Sequence, residues 1–328
     1  MRLARFNLWK SGSCAALLSV CGFAFAQQQS PIPQNENPSP TVTLSLIVTD
    51  ESRRAVDDIT RDQITIVEHK RPQKLIAFSH ESTAVDYGIA VDTSGSFKTL
   101  LGPVLESVKF LLENQRDDDA VFLETFTSSD KIATVHEFTS DKSEVLKMLP
   151  LLRIEGGQSA VVDGIYLAAE HVSKRPAVPN RRHALVVFTD GEDRASYYTD
   201  KALIKFLQQN DVQVFVIGIV GQLDRTSIIR PSIRENAETL LKRIAQQTGG
   251  RVFFPNTISE LKEVLEQIEH DLHNQYKIVY ESDDTSSKEF RSVEVAITNS
   301  GVHKFTAIVR PGYYINPPAS NSSAKKKS

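Results

Sequence analysis

Apolar runs and helical stripes alternate through the middle of the chain. Residues 87–91 and 184–188 are unbroken apolar runs, the pattern of strands buried on both faces. Residues 120–126, 132–138, 212–220 and 251–254 read as further strands. Between them lie stretches with helical spacing. In 97–114, Leu100, Val104, Val108 and Leu111 fall on one face. Residues 140–152, 160–172, 200–210, 234–247 and 259–275 follow the same rule. Ser140 and Asp141 are candidate caps for the second helix and Ser259 for the last, and Gly249-Gly250 is a stop signal. Strands alternating with helices of this length predict an α/β fold with a doubly wound, mostly parallel sheet, spanning residues 84–275.

The flanks are patterned differently. Residues 41–49, 63–68 and 74–79 on one side, and 277–280, 291–298 and 303–309 on the other, are short β-rich runs. Turn signals at 50–52, 283–287 and 299–301 separate them. Each flank, 41–80 or 277–314, is too small to bury a core alone. They are predicted to pair into one small β-sandwich, with the α/β block inserted between its halves.

Composition adds an ordinary globular balance, 40% hydrophobic and 24% charged in 328 residues. The ends depart from it. Arg2, Arg5 and Lys10 precede an apolar run that closes on Ala24-Phe25-Ala26, the pattern of a secretory signal peptide over residues 1–26. The apolar run is too short to span a bilayer comfortably, so no integral membrane segment is expected after cleavage. Both cysteines, Cys14 and Cys21, lie in that segment, so the exported chain is expected to hold no disulfide. Losing those three cations takes the formal charge from −3 to −6. An acidic chain without a basic stripe argues against nucleic acid as a partner. Residues 27–40 read as a linker and 315–328 as a disordered tail. The expected location is the periplasm or the secreted medium.

The candidate chemistry lies at strand ends. Open α/β sheets bind ligands at the carboxyl ends of their strands. The first buried strand runs into Asp92-Thr93-Ser94-Gly95-Ser96, and the strand ending at Phe188 runs into Thr189-Asp190-Gly191. Between them, Gly156-Gly157-Gln158-Ser159 opens a helix. The three loops are expected on one edge, where they supply Asp92, Asp190, Ser94, Ser96 and Ser159. Hard oxygen donors of this kind suit Mg²⁺, with Mn²⁺ or Ca²⁺ as alternatives. Little negative charge would touch the ion, leaving it electrophilic and open to an Asp or Glu carboxylate from a partner protein.

This set resembles the metal-ion-dependent adhesion site of von Willebrand factor A domains. Asp92, Ser94 and Ser96 match its D-x-S-x-S loop and Asp190 its third-loop Asp. Ser159 stands where the family usually has Thr, which keeps the hydroxyl and loses a methyl that stiffens the rotamer. The flanks resemble those of exported bacterial A-domain proteins, through V-T-D at 48–50, V-D-D-I-T-R-D-Q-I-T-I-V-E at 56–68 and R-P-G-Y-Y at 310–314. The resemblance implies metal-dependent protein binding, adhesive or scaffolding, and no catalysis.

Rival chemistries fit less well. Asp92-Thr93 looks like half of an aspartic-protease loop, but Ser94 stands where Gly is needed, and Thr189-Asp190-Gly191 has the wrong order for the second half. No G-x-S-x-G elbow and no G-x-x-x-x-G-K-[ST] loop is present. His270 and His273 share a helix face but lack further zinc ligands, so a solvated face is expected there. Asp117-Asp118-Asp119 is expected to be a solvated loop, and Glu192 and Asp193 either partner-selecting or merely exposed. An envelope scaffold without a metal-dependent ligand is the remaining class.

Overall fold

In a computed structural model, residues 41–176, 178, 180–223, 231–283, 289–298 and 304–315 are described. The expected signal peptide, linker and tail, and most of the 283–287 and 299–301 turns, lie outside them.

The central sheet has the order β10-β9-β8-β5-β6-β7. Its strands are β5 (Ala84–Asp92), β6 (Ala120–Phe126), β7 (Ile132–Thr139), β8 (Arg181–Thr189), β9 (Val212–Gly218) and β10 (Val252–Phe253). All are parallel except β7, which runs antiparallel to β6. Helices α1 (Leu101–Glu113), α2 (Lys142–Met148) and α6 (Ile258–His273) cover one face; α3 (Val161–Ser173), α4 (Asp200–Asn210) and α5 (Ile233–Thr248) cover the other. β5 is flanked on both sides and covered on both faces, which is why its apolar run is continuous.

The flanks make two more four-stranded sheets. One has the order β13-β1-β11-β4, from β13 (Thr306–Ile308), β1 (Thr41–Thr49), β11 (Asn274–Glu281) and β4 (Leu75–Ser82). The other has the order β14-β12-β2-β3, from β14 (Gly312–Tyr314), β12 (Phe290–Ile297), β2 (Ile64–Glu68) and β3 (Arg71–Gln73). Leu44, Leu46, Ile66, Ile278 and Val293 from both sheets share one buried core. The chain leaves this sandwich at Ser82 and returns at Asn274, and those two residues are paired neighbours in register. The three-residue strands β3 and β14 carry too little pattern to be read from sequence, and Pro72 keeps β3 at an edge.

Some boundaries differ from the sequence reading. Residues Gly95–Phe97 form a 3-10 turn, so α1 starts later than expected. The last helix is capped by Thr257, whose Oγ1 accepts from the Glu260 amide, instead of by Ser259. It also ends at His273, because from Asn274 the backbone is extended and pairs with β4.

Two expectations of solvated surface are corrected. Asp119 is 1% exposed. Its carboxylate accepts from the Val85 amide at 2.9 Å and meets His273 Nε2 at 2.8 Å. His273 is thus buried, and His270 Nε2 reaches Asp57 at 2.9 Å. The pair forms because the Thr83 amide donates to the His273 carbonyl, bringing the outgoing and returning chain side by side.

Burial alone would lower the His273 pKa, but its hydrogen bonds to Asp119 and Glu269 outweigh that and push it up to about 9. A histidine whose folded pKa lies above its unfolded value of about 6.5 adds stability that is complete below about pH 6.5 and lost as pH climbs through about 9. Urea unfolding is therefore expected to lose on the order of 3 kcal/mol over that window from this group. The loss should be missing in His273→Gln. An identical pH slope in the variant would place the titration elsewhere.

Candidate metal centre

β5 ends on Asp92, whose side chain is fully buried and collects donors from two other loops. Oδ1 accepts from the Ser94 amide at 2.9 Å. Oδ2 accepts from the Ser159 hydroxyl at 2.9 Å and the Thr189 hydroxyl at 2.8 Å. Ser94 Oγ lies 3.2 Å from Ser96 Oγ. Asp190 is 2% exposed, and its Oδ1 accepts from the Glu192 amide at 3.0 Å. Of the five residues singled out by sequence, Asp92, Ser94, Ser96 and Ser159 form one hydrogen-bonded chain, and Asp190 lies near enough to act on Asp92 electrostatically. Ser96 is exposed while the other four are buried, so the cup opens to solvent at Ser96.

Backbone contacts hold the loops in register. The Thr93 amide donates to the Phe126 carbonyl and the Thr93 hydroxyl lies 2.9 Å from that of Thr127, fastening the first loop to the end of β6. The Gly95 amide donates to the Gly157 carbonyl, and the Glu155 amide to the Thr93 carbonyl, joining the second loop to the first. Gly156 and Gly157 have φ of 74° and 99°, a region that residues with a Cβ rarely enter, so this turn needs glycine. At Gly164 a Cβ would stand 2.5 Å from the Phe126 ring. Its absence lets the first turn of α3 approach β6 and carries Ser159 toward Asp92. The third loop is fastened to the second by the Arg194 and Ala195 amides, which donate to the Ser159 carbonyl.

Sequence reasoning missed several members of this scaffold. Asp163 accepts from the Tyr197 and Tyr198 amides at 2.7 and 2.8 Å and from the Ser129 hydroxyl, gathering the third loop onto α3. Thr189 carries a visible signal, a hydroxyl at a strand end beside Asp190. Thr127 and Asp163 carry none, since each acts across a distance in sequence that only the fold closes. Glu192 pairs with Arg194, while Asp193 accepts from Ser196 and from the Val162 amide. Both acidic residues are engaged within the loop structure and are not simply exposed charge.

Burial pushes the Asp92 carboxyl up to about 6; the Ser94 hydrogen bonds oppose this and the Asp190 charge adds to it. A second carboxylate beside a buried one favours a cation between them. Among the described residues, no three His, Cys, Asp or Glu side chains cluster to hold a metal, so an ion here must draw on hydroxyls. The donor set fits that demand. Ser159 gives its proton to Asp92, leaving its lone pairs for a cation. The Ser94–Ser96 separation of 3.2 Å is close to the ~3 Å edge of an octahedron with ~2.1 Å metal–oxygen bonds.

The family model of the von Willebrand factor type A domain matches residues 86–267. No curated protein sequence matches the chain. Several solved structures are similar to the chain. An aerotolerance-related membrane protein from Bacteroides fragilis with multiple mutations to serines is 22% identical, with a TM-score of 0.44 over 56% of this chain and 98% of that one. A von Willebrand factor type A protein from Catenulispora acidiphila is 12% identical, with a TM-score of 0.47 over 84% and 74%. Proximal thread matrix protein 1 from the mussel byssus, with zinc in its MIDAS motif, is 19% identical, with a TM-score of 0.46 over 59% and 49%.

Proposed function

Since the chain belongs to the von Willebrand factor type A domain family, we propose that it is an exported protein-binding protein whose Asp92, Ser94, Ser96, Ser159 and Asp190 hold a divalent ion. Mg²⁺ is the first choice, with Mn²⁺ and Ca²⁺ as alternatives, because the donors are hard neutral oxygens backed by two carboxylates. When bound, the ion offers an open coordination position to an Asp or Glu carboxylate of a partner. The observation that carries this reading is the convergence of Ser94, Ser159 and Thr189 on Asp92. Three loops far apart in sequence are fixed on one buried carboxylate, an arrangement that helix capping by Asp92 alone does not require.

The chain's own residues divide the work. Asp92 accepts hydrogen bonds from the Ser159 and Thr189 hydroxyls, which leaves the Ser159 lone pairs for a cation. Asp163 and the Arg194 and Ala195 amides hold the third loop, and with it Asp190, against the second. Around the cup the surface suits a protein ligand. Leu151, Tyr197 and Ile233 are among the few exposed large hydrophobic residues described, at 62%, 38% and 39%; Leu151 ends a 3-10 turn before the second loop, Tyr197 lies in the third loop and Ile233 opens α5. A cavity of about 420 Å³, lined by Glu192, Arg194, Ile233, Asn236 and Leu240 among others, adjoins the third loop. Export is supported by the signal-like pattern of residues 1–26, and no helix among the described residues is long and apolar enough to cross a membrane.

The test is a pull-down from envelope extract with the purified chain, run in Mg²⁺ and in EDTA. Partners retained in Mg²⁺ and lost in EDTA are expected. Partners held equally in both would replace the metal bridge with the scaffold reading.

A further inference from the structure

A second cavity, of about 210 Å³, opens at the opposite edge of the central sheet, among the first residues of β8 and β9. Its lining includes Ser45 of β1, Arg181, Arg182 and His183 of β8, Asp211, and Arg310 from the C-terminal segment. Cations outnumber their counter-charges here. Arg175 and Arg181 share the single carboxylate of Asp86. Arg310 pairs with Asp211 at 2.5 Å, but Asp211 is 74% exposed, so water screens much of that attraction. Arg182 has no ion pair among the described residues. Its Nη2 donates to the Leu272 and His273 carbonyls at 3.0 and 2.6 Å, and its Nε is buried with no hydrogen-bond partner. Three guanidinium groups, those of Arg181, Arg182 and Arg310, thus line the cavity with the one carboxylate of Asp211, while Asp86, Glu81 and Asp119 act on them from outside the lining. A buried N–H without an acceptor is costly. Desolvation accordingly pulls the Arg182 pKa down to about 10.

We propose that this cavity is an oxyanion site that takes a phosphate group, with Arg181, Arg182 and Arg310 supplying the charge and the Ser45 hydroxyl a further donor. Guanidinium donors match the oxygens of phosphate in spacing and in charge, and three of them line this one cavity. The site lies at the end of β8 remote from Asp92 and is independent of the metal reading. Its lining comes from β1, from β8 and from the segment before β14, so one bound anion would join both flanking segments to the central sheet.

The experiment is isothermal titration of the purified full chain in phosphate-free buffer with EDTA, which silences any metal site. Inorganic phosphate is the first probe and glycerol 1-phosphate the second. Saturable binding of phosphate at one per chain is expected, weakened about tenfold or more in Arg310→Gln and in Ser45→Ala. Ser45→Ala removes a single hydroxyl and keeps the test open if Arg310→Gln fails to fold, which circular dichroism reports. Competition by glycerol 1-phosphate supports the site and extends its ligands to phosphate esters; phosphate binding without such competition supports it for the free ion alone. Absence of saturable phosphate binding up to about 10 mM, or binding undiminished in a folded Ser45→Ala or Arg310→Gln variant, overturns the proposal.

Discussion

Asp92→Ala is expected to weaken divalent-ion binding by at least about 100-fold while leaving the fold in place. Mn²⁺ titration followed by electron paramagnetic resonance reads the first quantity and circular dichroism the second. The size of the effect follows from what Asp92 holds. Its carboxylate receives the Ser94 amide and the Ser159 and Thr189 hydroxyls, so its removal frees one donor in each of three loops. Each buried donor left without an acceptor costs about 1–3 kcal/mol, and the cheapest relief is for the loops to separate. Capture of a partner in Mg²⁺ should vanish with the ion. Asp92→Asn keeps the shape and one acceptor oxygen and should fall between. An Asp92→Ala protein that binds Mn²⁺ as the native chain does would remove the proposed site.

The largest effect on stability is expected at the far end of α6. Arg251 and Asp271 are 2% and 0% exposed and meet at 2.5 Å. Arg251 Nη2 also donates to the Arg53 carbonyl and to Gln267, and its guanidinium lies 4.6 Å from the Phe253 ring centre. Asp271→Ala leaves a guanidinium charge buried without its carboxylate, at a cost of about 3–5 kcal/mol. Against a typical total of about 5–15 kcal/mol, that is a large fraction of the stability. Replacing both partners by apolar residues of similar volume, Arg251→Met with Asp271→Leu, should recover most of it, because the pair contributes far less than either orphan costs. Urea unfolding of the three proteins measures this. A loss below about 1 kcal/mol in Asp271→Ala would mean that water reaches Arg251.

The sequence showed some of this arrangement and concealed the rest for a physical reason. β5 was legible because a strand covered on both faces is apolar throughout, and its end was legible because Asp92, Ser94 and Ser96 break that run with a spaced set of oxygens. Ser159 was legible from the Gly-Gly turn before it. Asp119 and His273 were misread as solvated, since nothing in an acidic run or a helix-end histidine announces a partner 154 residues away. Asp163 was silent for the same reason. It lies in a helix, where an Asp is ordinary, and its value comes from the amides of residues 197 and 198 folding back over it. Local pattern records burial and turn chemistry; it does not record which distant loop a polar group will meet.

The pairing of Asn274 with Ser82 has a further consequence, for chain entropy. β4 and β11 form an antiparallel hairpin whose connection is the whole α/β block. In an unfolded chain, closing a loop of about 190 residues costs on the order of 5 kcal/mol. A folded block already holds its two ends together, with the Thr83 amide on the His273 carbonyl, and removes most of that cost. The central sheet therefore serves as a preformed turn for the sandwich, and the cohesion of the outer strands depends on the integrity of the domain they enclose.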